Sequence, residues 1–399
     1  MKKLFFCAFV ALAVFSLPSE GKKKAENPFS NSSPMFWNMD GIQGMKDNPA
    51  PVQKFIDRCV ARADEAIKSG PVFVTAPSIK VTPDPHYFFG SGKYFWPDPK
   101  NPNGPYINKD GLINPESKNY DTTRLEQMKN NLRHLALALF FTGDKKYYTE
   151  YVKHVRAWFL DKDTYMYPNM VYAQVIPGRN NGMGFPAGII HAYSFTSVLD
   201  SYRLVNSVIK IDKKTDEGLK DWFRQLMNWM KTSDIGVKES KGTNNHSVAY
   251  DVMMADFAVF VGDKETYDNI TGNFRKVRLE AQIREDGSQP RELARTRALG
   301  YSVYNLTHFV DLCLMMEKQG RHYYAENRDL IDKVFLFLDP YIDHRESWTY
   351  QDIAKSFDKD CRDFKKQVFR LRQLPDGGRP ILDNEKYIFK GKDVYNYLQ

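Results

Sequence analysis

The run Thr243-Asn244-Asn245-His246-Ser247 places two amides and an imidazole where a polar loop meets an apolar helical stripe of Val248, Met253, Phe257 and Phe260. Donors in a first helical turn are not consumed by the helix, so they are free to meet a ligand. A plainer reading makes Thr243 or Asn244 an N-cap and His246 an ordinary surface or core histidine. A second stretch shifts the balance. Gln289-Pro290-Arg291-Glu292-Leu293-Ala294-Arg295-Thr296-Arg297-Ala298-Leu299-Gly300-Tyr301 sets guanidinium groups one to two helical turns ahead of a tyrosine.

Amide, guanidinium, imidazole and phenol together suit β-elimination in a uronic acid polymer. The C5 proton lies α to a carboxylate whose charge opposes a carbanion. That charge must first be neutralised, by amides or arginine in a partly dry site. A base then takes the C5 proton and an acid protonates the departing O4. Asn245, with Arg295 or Arg297, can neutralise the carboxylate. His246 can be the base, or can bind the carboxylate and depress the pKa of a neighbouring phenol. Tyr301 can protonate O4, or serve as base and acid where H5 and O4 share a ring face. A phenol of ordinary pKa, about 10, needs cationic neighbours to act as a base. The scheme requires no metal and no cofactor.

Other stretches can hold the polymer. Gln174-Val175-Ile176-Pro177-Gly178-Arg179-Asn180-Asn181-Gly182-Met183-Gly184 is a donor-rich loop in which Arg179 can grip a carboxylate through two hydrogen bonds. Gln174, Asn180 and Asn181 join it as binding candidates, although Asn-Gly also reads as a simple turn. Asn244 stands beside the proposed centre. The aromatic run His86–Pro99 contains Tyr94 and Trp96, expected at the rim of a cleft where flat rings meet sugar faces, or else in a packing loop.

The Asn-Asn-His-Ser loop and the Glu-Leu-Ala-Arg…Arg-Ala-Leu…Tyr segment resemble the active-centre motifs of the alginate lyase family of polysaccharide lyases. Tyr94-Phe95-Trp96-Pro97-Asp98-Pro99 is similar to a string of that family too. The resemblance spans roughly residues 80–320 and implies Asn245, His246, Arg295 and Tyr301 as functional residues. There are two departures. Val248-Ala249 follows the motif where the best-known members place an aromatic pair, and the interval from Arg to Tyr is one residue shorter. Arg295 and Arg297 therefore compete for one role, and mannuronate, guluronate and glucuronate preferences stay open.

Which scaffold positions such residues? The chain has 399 residues, 42% hydrophobic and 27% charged, enough for one large core or two. Met1-Lys2-Lys3 and the apolar run Leu4–Leu17 read as a secretory signal peptide over residues 1–21, which implies a secreted or periplasmic protein. Residues 22–50 read as a mobile segment, and residues 51–399 as a single domain. Beyond the leader no run is apolar and long enough to cross a membrane. The net charge of +8 suits an acidic polysaccharide partner. Nucleic acid is not expected, since no basic run interleaves with aromatics. Cys59, Cys313 and Cys361 are widely spaced, so one disulfide plus a thiol, or three buried thiols, are both open.

Helical stripes fill the chain after residue 121: Leu125 to Leu139, Tyr148 to Phe159, then 186–207, 215–232, 246–262, 271–284, 296–318 and 328–339. An earlier helix covers 51–69. Repeated helical hairpins predict an all-α fold, an (α/α) toroid or incomplete α/α barrel, with long irregular N-terminal loops. Gln367–Arg372 alternates weakly and suggests a short strand before the turn at Pro375-Asp376-Gly377-Gly378. Three other functions remain in view. One is a glucuronan lyase on the same scaffold. Another is an inverting glycoside hydrolase using a pair among Asp98, Asp121, Asp251 and Glu292. The third is a non-catalytic polysaccharide-binding protein. Endo or exo action and oligomeric state are not legible here.

Overall fold

Apolar positions recur at helical spacing, and the breaks between them carry caps. Asp144 and Asp212 accept hydrogen bonds from the backbone N–H groups of Lys146 and Thr215 at helix starts. Gly143 and Gly262 take left-handed φ angles of 70° and 80° at helix ends, where a side chain would be strained. The computed structural model describes residues 27–353, 356–374, 382, 386 and 387. The expected signal peptide and the Pro375–Gly378 turn lie outside these.

Helices α1 (Met39–Asp47), α2 (Gln53–Ser69), α3 (Asp121–Thr142), α4 (Lys145–Phe159), α5 (Ser194–Val208), α6 (Lys213–Thr232), α7 (Asp234–Ser240) and α8 (Asn245–Val261) come first. Then follow α9 (Lys264–Phe274), α10 (Glu280–Gln282), α11 (Pro290–Leu293), α12 (Ala298–Lys318), α13 (Tyr323–Glu326), α14 (Arg328–Ile342) and α15 (Phe357–Leu371). Contacts run α3 to α5, α5 to α8, α8 to α12 and α12 to α15, forming an inner wall. Helices α2, α4, α6, α9 and α14 pack against its back. This is the expected all-α, incomplete (α/α) toroid. Helix α8 is buried on every side from Ser247 to Phe260, as a helix enclosed by neighbours must be, and its two acids Asp251 and Asp256 are paired with Arg278 and Arg203. Phe159, Phe195, Trp222, Phe223 and Phe257 join the walls through edge and tilted ring contacts.

Two short ribbons decorate one end. Strand β1 (Phe89–Ser91) runs parallel to β4 (Tyr172–Val175), and β2 (Phe95–Trp96) pairs antiparallel with β3 (Ile107–Asn108). They organise the long irregular loops that precede α3 and α5.

Several expectations are corrected. Residues 367–372 lie in or at the end of α15 rather than in a strand. Phe357, Cys361, Phe364, Val368 and Leu371 make a buried helical face that outweighs a brief alternation. Residues 186–193 form a tighter turn of helix before α5, because Pro186 opens it and Gly188 lies against the Ala173 backbone, where a Cβ would approach within 2.5 Å. The 271–284 helix widens over Arg275–Leu279. Of the two readings left open for Cys59, Cys313 and Cys361, the structure shows three buried free thiols.

Residues 27–50, read as mobile from composition, form a strap across the toroid. The N–H groups of Met35 and Phe36 donate to the Asp200 carboxylate at 2.5 and 2.8 Å. Arg203 pairs with Asp200 at 3.2 Å and with Asp256 at 2.7 Å, all with fully buried side chains, and its Nε reaches Asn31. Lys318 donates to the Pro34 carbonyl. Removing one member of such a buried set strands the others without a partner. Asp200→Ala is therefore expected to destabilise the fold by about 3–5 kcal/mol in urea unfolding followed by circular dichroism. A loss below about 1 kcal/mol would show that the strap is not anchored there.

Candidate active site

The mouth of α8 opens into a cavity of about 1300 Å³ enclosed by the inner wall. Asn245 is the first residue of α8, and both its backbone N–H and its Nδ2 donate to the Glu292 carboxylate, at 2.8 and 2.6 Å. Glu292, on α11, is 2% exposed. A carboxylate at a helix N-terminus meets unpaired N–H groups and the positive end of the dipole, which offsets part of the cost of burying it. Burial raises the Glu292 carboxyl, while the Asn245 donors, Arg295 and His246 pull it back. Oδ1 of Asn245 is buried without a partner.

His246 follows on the same turn. Its Nδ1 lies 2.8 Å from Oε1 of Glu239 on α7. A carboxylate at Nδ1 fixes the proton on that nitrogen and leaves the Nε2 lone pair free. His191, on the 186–193 turn, also lines the cavity, and its pKa falls to about 4 through burial first, then Lys93 and His246. It is a neutral imidazole.

Across the cavity, Arg295 donates through Nε and Nη2 to Asp110, at 3.0 and 2.5 Å. Its guanidinium lies 3.7 Å from the centre of the Tyr301 ring. Asp110 also accepts from the Thr296 hydroxyl at 2.9 Å. Burial alone would raise this carboxyl, but hydrogen bonds from Arg295 and Thr296 hold it low. The Tyr301 hydroxyl donates to the Tyr94 hydroxyl at 2.9 Å. The Tyr301 phenol is raised well above its ordinary value, by burial first and then by Tyr94, against the pull of Arg295. Sequence alone suggested arginines that would lower this phenol. The structure differs because burial and the Tyr94 hydroxyl outweigh the Arg295 guanidinium, whose charge Asp110 also offsets.

Arg297 has a different job. Its Nε and Nη2 reach the Ser356 hydroxyl at 3.1 and 2.8 Å, and Nη2 lies 3.3 Å from Asp360. It fastens α15 to the start of α12, so of the two arginines only Arg295 stacks on Tyr301.

The expected site residues divide. Asn244, Asn245, His246, Arg295, Arg297, Tyr301, Tyr94, Gln174 and Arg179 all line the one cavity. Gln174 does so from a left-handed φ of 55°, a costly conformation for a side chain with a Cβ, where the β1–β4 register shifts. Arg179 donates to the Tyr106 carbonyl and lies over Phe95. Asn180, Asn181 and Trp96 do not line the cavity. The two asparagines form an exposed turn with left-handed φ angles, Asn180 donating to the Gly184 carbonyl. Trp96 donates to the Leu112 carbonyl beneath Lys109.

Glu239, Asp110, Lys93 and His191 were missed. Glu292 was weighed only as a hydrolase acid, although it belongs to the Glu-Leu-Ala-Arg run. Asp121 is tied to Lys80 and Arg124, and Asp251 to Arg278. With Glu292 holding Asn245 and Asp98 capping Lys100, no pair of hydrolase candidates faces the cavity among the described residues. Every carboxylate that does line it has a basic partner: Asp110 with Arg295, Glu126 with Lys129, Asp200 with Arg203, Glu239 with His246, Asp311 with Arg370, Asp360 with Arg297, and Asp363 with Lys359. Lys93 and Arg179 pair with no carboxylate among the described residues. The wall is thus receptive to anions.

Comparison with known proteins gives the same direction. The family model described as alginate lyase matches residues 75–348. An alginate lyase from Bacteroides ovatus superposes with a TM-score of 0.80 at 36% identity, over 86% of this chain and 92% of its own. Alginate lyase A1-III from Sphingomonas species A1 shares the fold at 15% identity, with a TM-score of 0.51 over 88% and 92% of the two chains. A variant of A1-III complexed with a tetrasaccharide does so at 16% identity, with a TM-score of 0.50 over 81% and 89%. No curated protein matches by sequence. With the family model covering most of its length and a 36% identical structure spanning nearly all of its fold, this chain belongs to the alginate lyase family and is a polysaccharide lyase.

Proposed function

We propose that the protein is secreted, as its leader sequence suggests, and cleaves the 1,4-linked polyuronate alginate by β-elimination, with His246 as base and Tyr301 as acid. The observation that carries this reading is the pairing of opposite environments in one cavity. Glu239 leaves an imidazole lone pair free, while burial keeps a phenol protonated. The Bacteroides ovatus relative, 36% identical, is an alginate lyase, which favours alginate over polyglucuronate.

In this reaction the sugar carboxylate meets the second amide hydrogen of Asn245 and the Nη1 edge of Arg295, which the Glu292 and Asp110 contacts leave unused. Its charge falls, and the C5 proton becomes removable. Nε2 of His246 takes that proton, the C5–H electrons form the C4–C5 double bond, and the C4–O4 bond breaks. The departing O4 receives the Tyr301 proton. The excess proton on His246 then returns to the phenolate, for which the Tyr94 hydroxyl at 2.9 Å offers a relay.

The product carries a 4,5-unsaturated uronate that absorbs at about 235 nm. Absorbance is expected to rise with alginate, and Tyr301→Phe should lower the rate by about 10²–10⁴-fold. A rise only with glucuronan would move the substrate. New reducing ends without absorbance would sink the elimination.

Arg295→Ala is expected to cost about 10²-fold or more in kcat, as loss of a charge-stabilising donor does. Arg297→Ala should instead act mainly on thermal stability, through its tie to α15. Equal kcat losses in both variants would refute that division of labour.

The pH profile separates acid from base. An acid works while protonated, so its contribution is lost only as pH rises through its pKa. The Tyr301 value lies above the ordinary 10, so kcat should show no basic limb from this group below about pH 10. A rate that climbs steadily with tyrosinate formation would make Tyr301 the base instead.

A further inference from the structure

Three neutral amides lie behind the reacting groups, and the elimination described above uses none of them. Gln282 ends α10, Gln289 directly precedes α11, and Asn305 stands on α12 one turn beyond Tyr301. All three are buried, and none lines the cavity. Nδ2 of Asn305 donates to Oε1 of Gln282 at 2.9 Å and to Oε1 of Gln289 at 2.8 Å. Nε2 of Gln289 donates to the carbonyl of Ser302, the residue after Tyr301, at 3.1 Å. Nε2 of Gln282 reaches the Asn244 carbonyl and the Ser247 hydroxyl, each at 3.4 Å, on the turn that holds Asn245 and His246. A single chain of amides thus runs from the base side of the site to the acid side.

The ends dictate the sense of every bond in it. The carbonyls of Asn244 and Ser302 can only accept. The Ser247 hydroxyl spends its hydrogen on the Asn244 carbonyl at 2.9 Å, so toward Gln282 it accepts as well. Both glutamines must therefore turn Nε2 outward and Oε1 to Asn305, which must donate twice. A primary amide carries two such hydrogens, a hydroxyl one and a carboxylate none. Oδ1 of Asn305 is buried with no hydrogen-bond partner among the described residues, a cost that a side chain present only to fill space would not carry. The base-side end is held firmly too. Arg278, one turn before Gln282, donates through Nε and Nη2 to Asp251 of α8 at 2.7 and 3.0 Å. It also reaches the carbonyls of Ser240 and Gly242 at 2.7 and 3.1 Å, in the loop leading to Asn244.

We propose that Asn305 is a positioning residue for the elimination, setting the spacing between the His246 turn and Tyr301 through Gln282 and Gln289. The inference rests on the acid–base reading above. Base and acid must meet the same sugar, one at C5 and the other at O4, so their separation is fixed by the substrate. A misplacement of about 1 Å can cost about 10²-fold in rate. Directional bonds between buried amides hold such a spacing rigidly. Being neutral, they also hold it without adding charge beside an anionic substrate.

The test is a double-mutant cycle on the two arms, Gln282→Met and Gln289→Met, which keep the side-chain length and remove the amide. Turnover of alginate is followed by absorbance at about 235 nm, well below the melting temperature of each variant. Each single variant is expected to lower kcat by about 10–100-fold with KM unchanged, because the cavity wall is intact. A chain is broken only once, so the double variant should fall no further than the weaker single one. Asn305→Leu, which cuts both arms, should match it. Losses that multiply in the double variant, or a lowered melting temperature with kcat untouched, would overturn the inference. Tyr301→Phe, assayed alongside, tells the two possible failures apart. Network variants of full kcat beside an inactive Tyr301→Phe would sink the positioning role and spare the acid–base reading. A Tyr301→Phe enzyme of undiminished kcat would sink both.

Discussion

The Glu292 carboxylate at the mouth of α8 is the contact on which the active centre depends. It joins the two stretches that carry the chemistry, which lie far apart in sequence, by accepting from both the backbone and the amide of Asn245. A helix start leaves N–H groups without partners, and a buried carboxylate lacks water, so each meets the other's need. Because His246 is the next residue, the bond that seats Asn245 also sets the height and direction of the imidazole. Because Arg295 is one turn beyond Glu292, the guanidinium is placed by the same segment. Loss of that carboxylate would disturb neutraliser, base and arginine together, which no single direct contact of the substrate does.

A cavity for a polyanion faces a problem of its own. Bare arginines and lysines at this density would repel one another, and buried cations without partners are costly. The wall resolves this by pairing, so that Arg295, Arg297, Lys129, Lys359 and Arg370 all rest against carboxylates. Pairing orients the guanidinium of Arg295 over Tyr301 and still leaves an edge for the substrate. Lys93 and Arg179, which pair with no carboxylate among the described residues, sit where the cavity is lined by the β1–β4 and β2–β3 loops and where water can screen them.

Much of this was legible from the chain. The hairpin succession gave the toroid, since α3, α4, α6, α8, α12 and α14 fall close to their apolar stripes, and the two motifs gave Asn245, His246, Arg295 and Tyr301 as neighbours. What was not legible depends on residues that meet only through the fold. Asp110 lies in an aperiodic loop and touches Arg295 across 185 positions, so no local pattern marks it. Glu239 stands on the short helix before the motif, where a lone acid looks like a solvated face. The strap looked mobile because its composition is polar, yet its anchor is Asp200, buried on α5. Trp96 and the Asn180-Asn181 pair were over-read: an aromatic or amide near the right loop says nothing about which way its side chain turns.

The division of acid from base follows from burial more than from charge. Arg295 sits close enough to favour tyrosinate, but it is already half-answered by Asp110, and burial penalises the phenolate more than the guanidinium rewards it. Binding a uronate adds another negative charge nearby, which moves the phenol further toward its protonated form. The substrate thereby reinforces the acid. The same added charge stabilises the positive charge that His246 gains as it accepts the C5 proton. One anionic substrate thus pulls both groups toward their proposed roles. That gives a physical reason why carboxylate binding and proton transfer share a single small cavity rather than being divided between two.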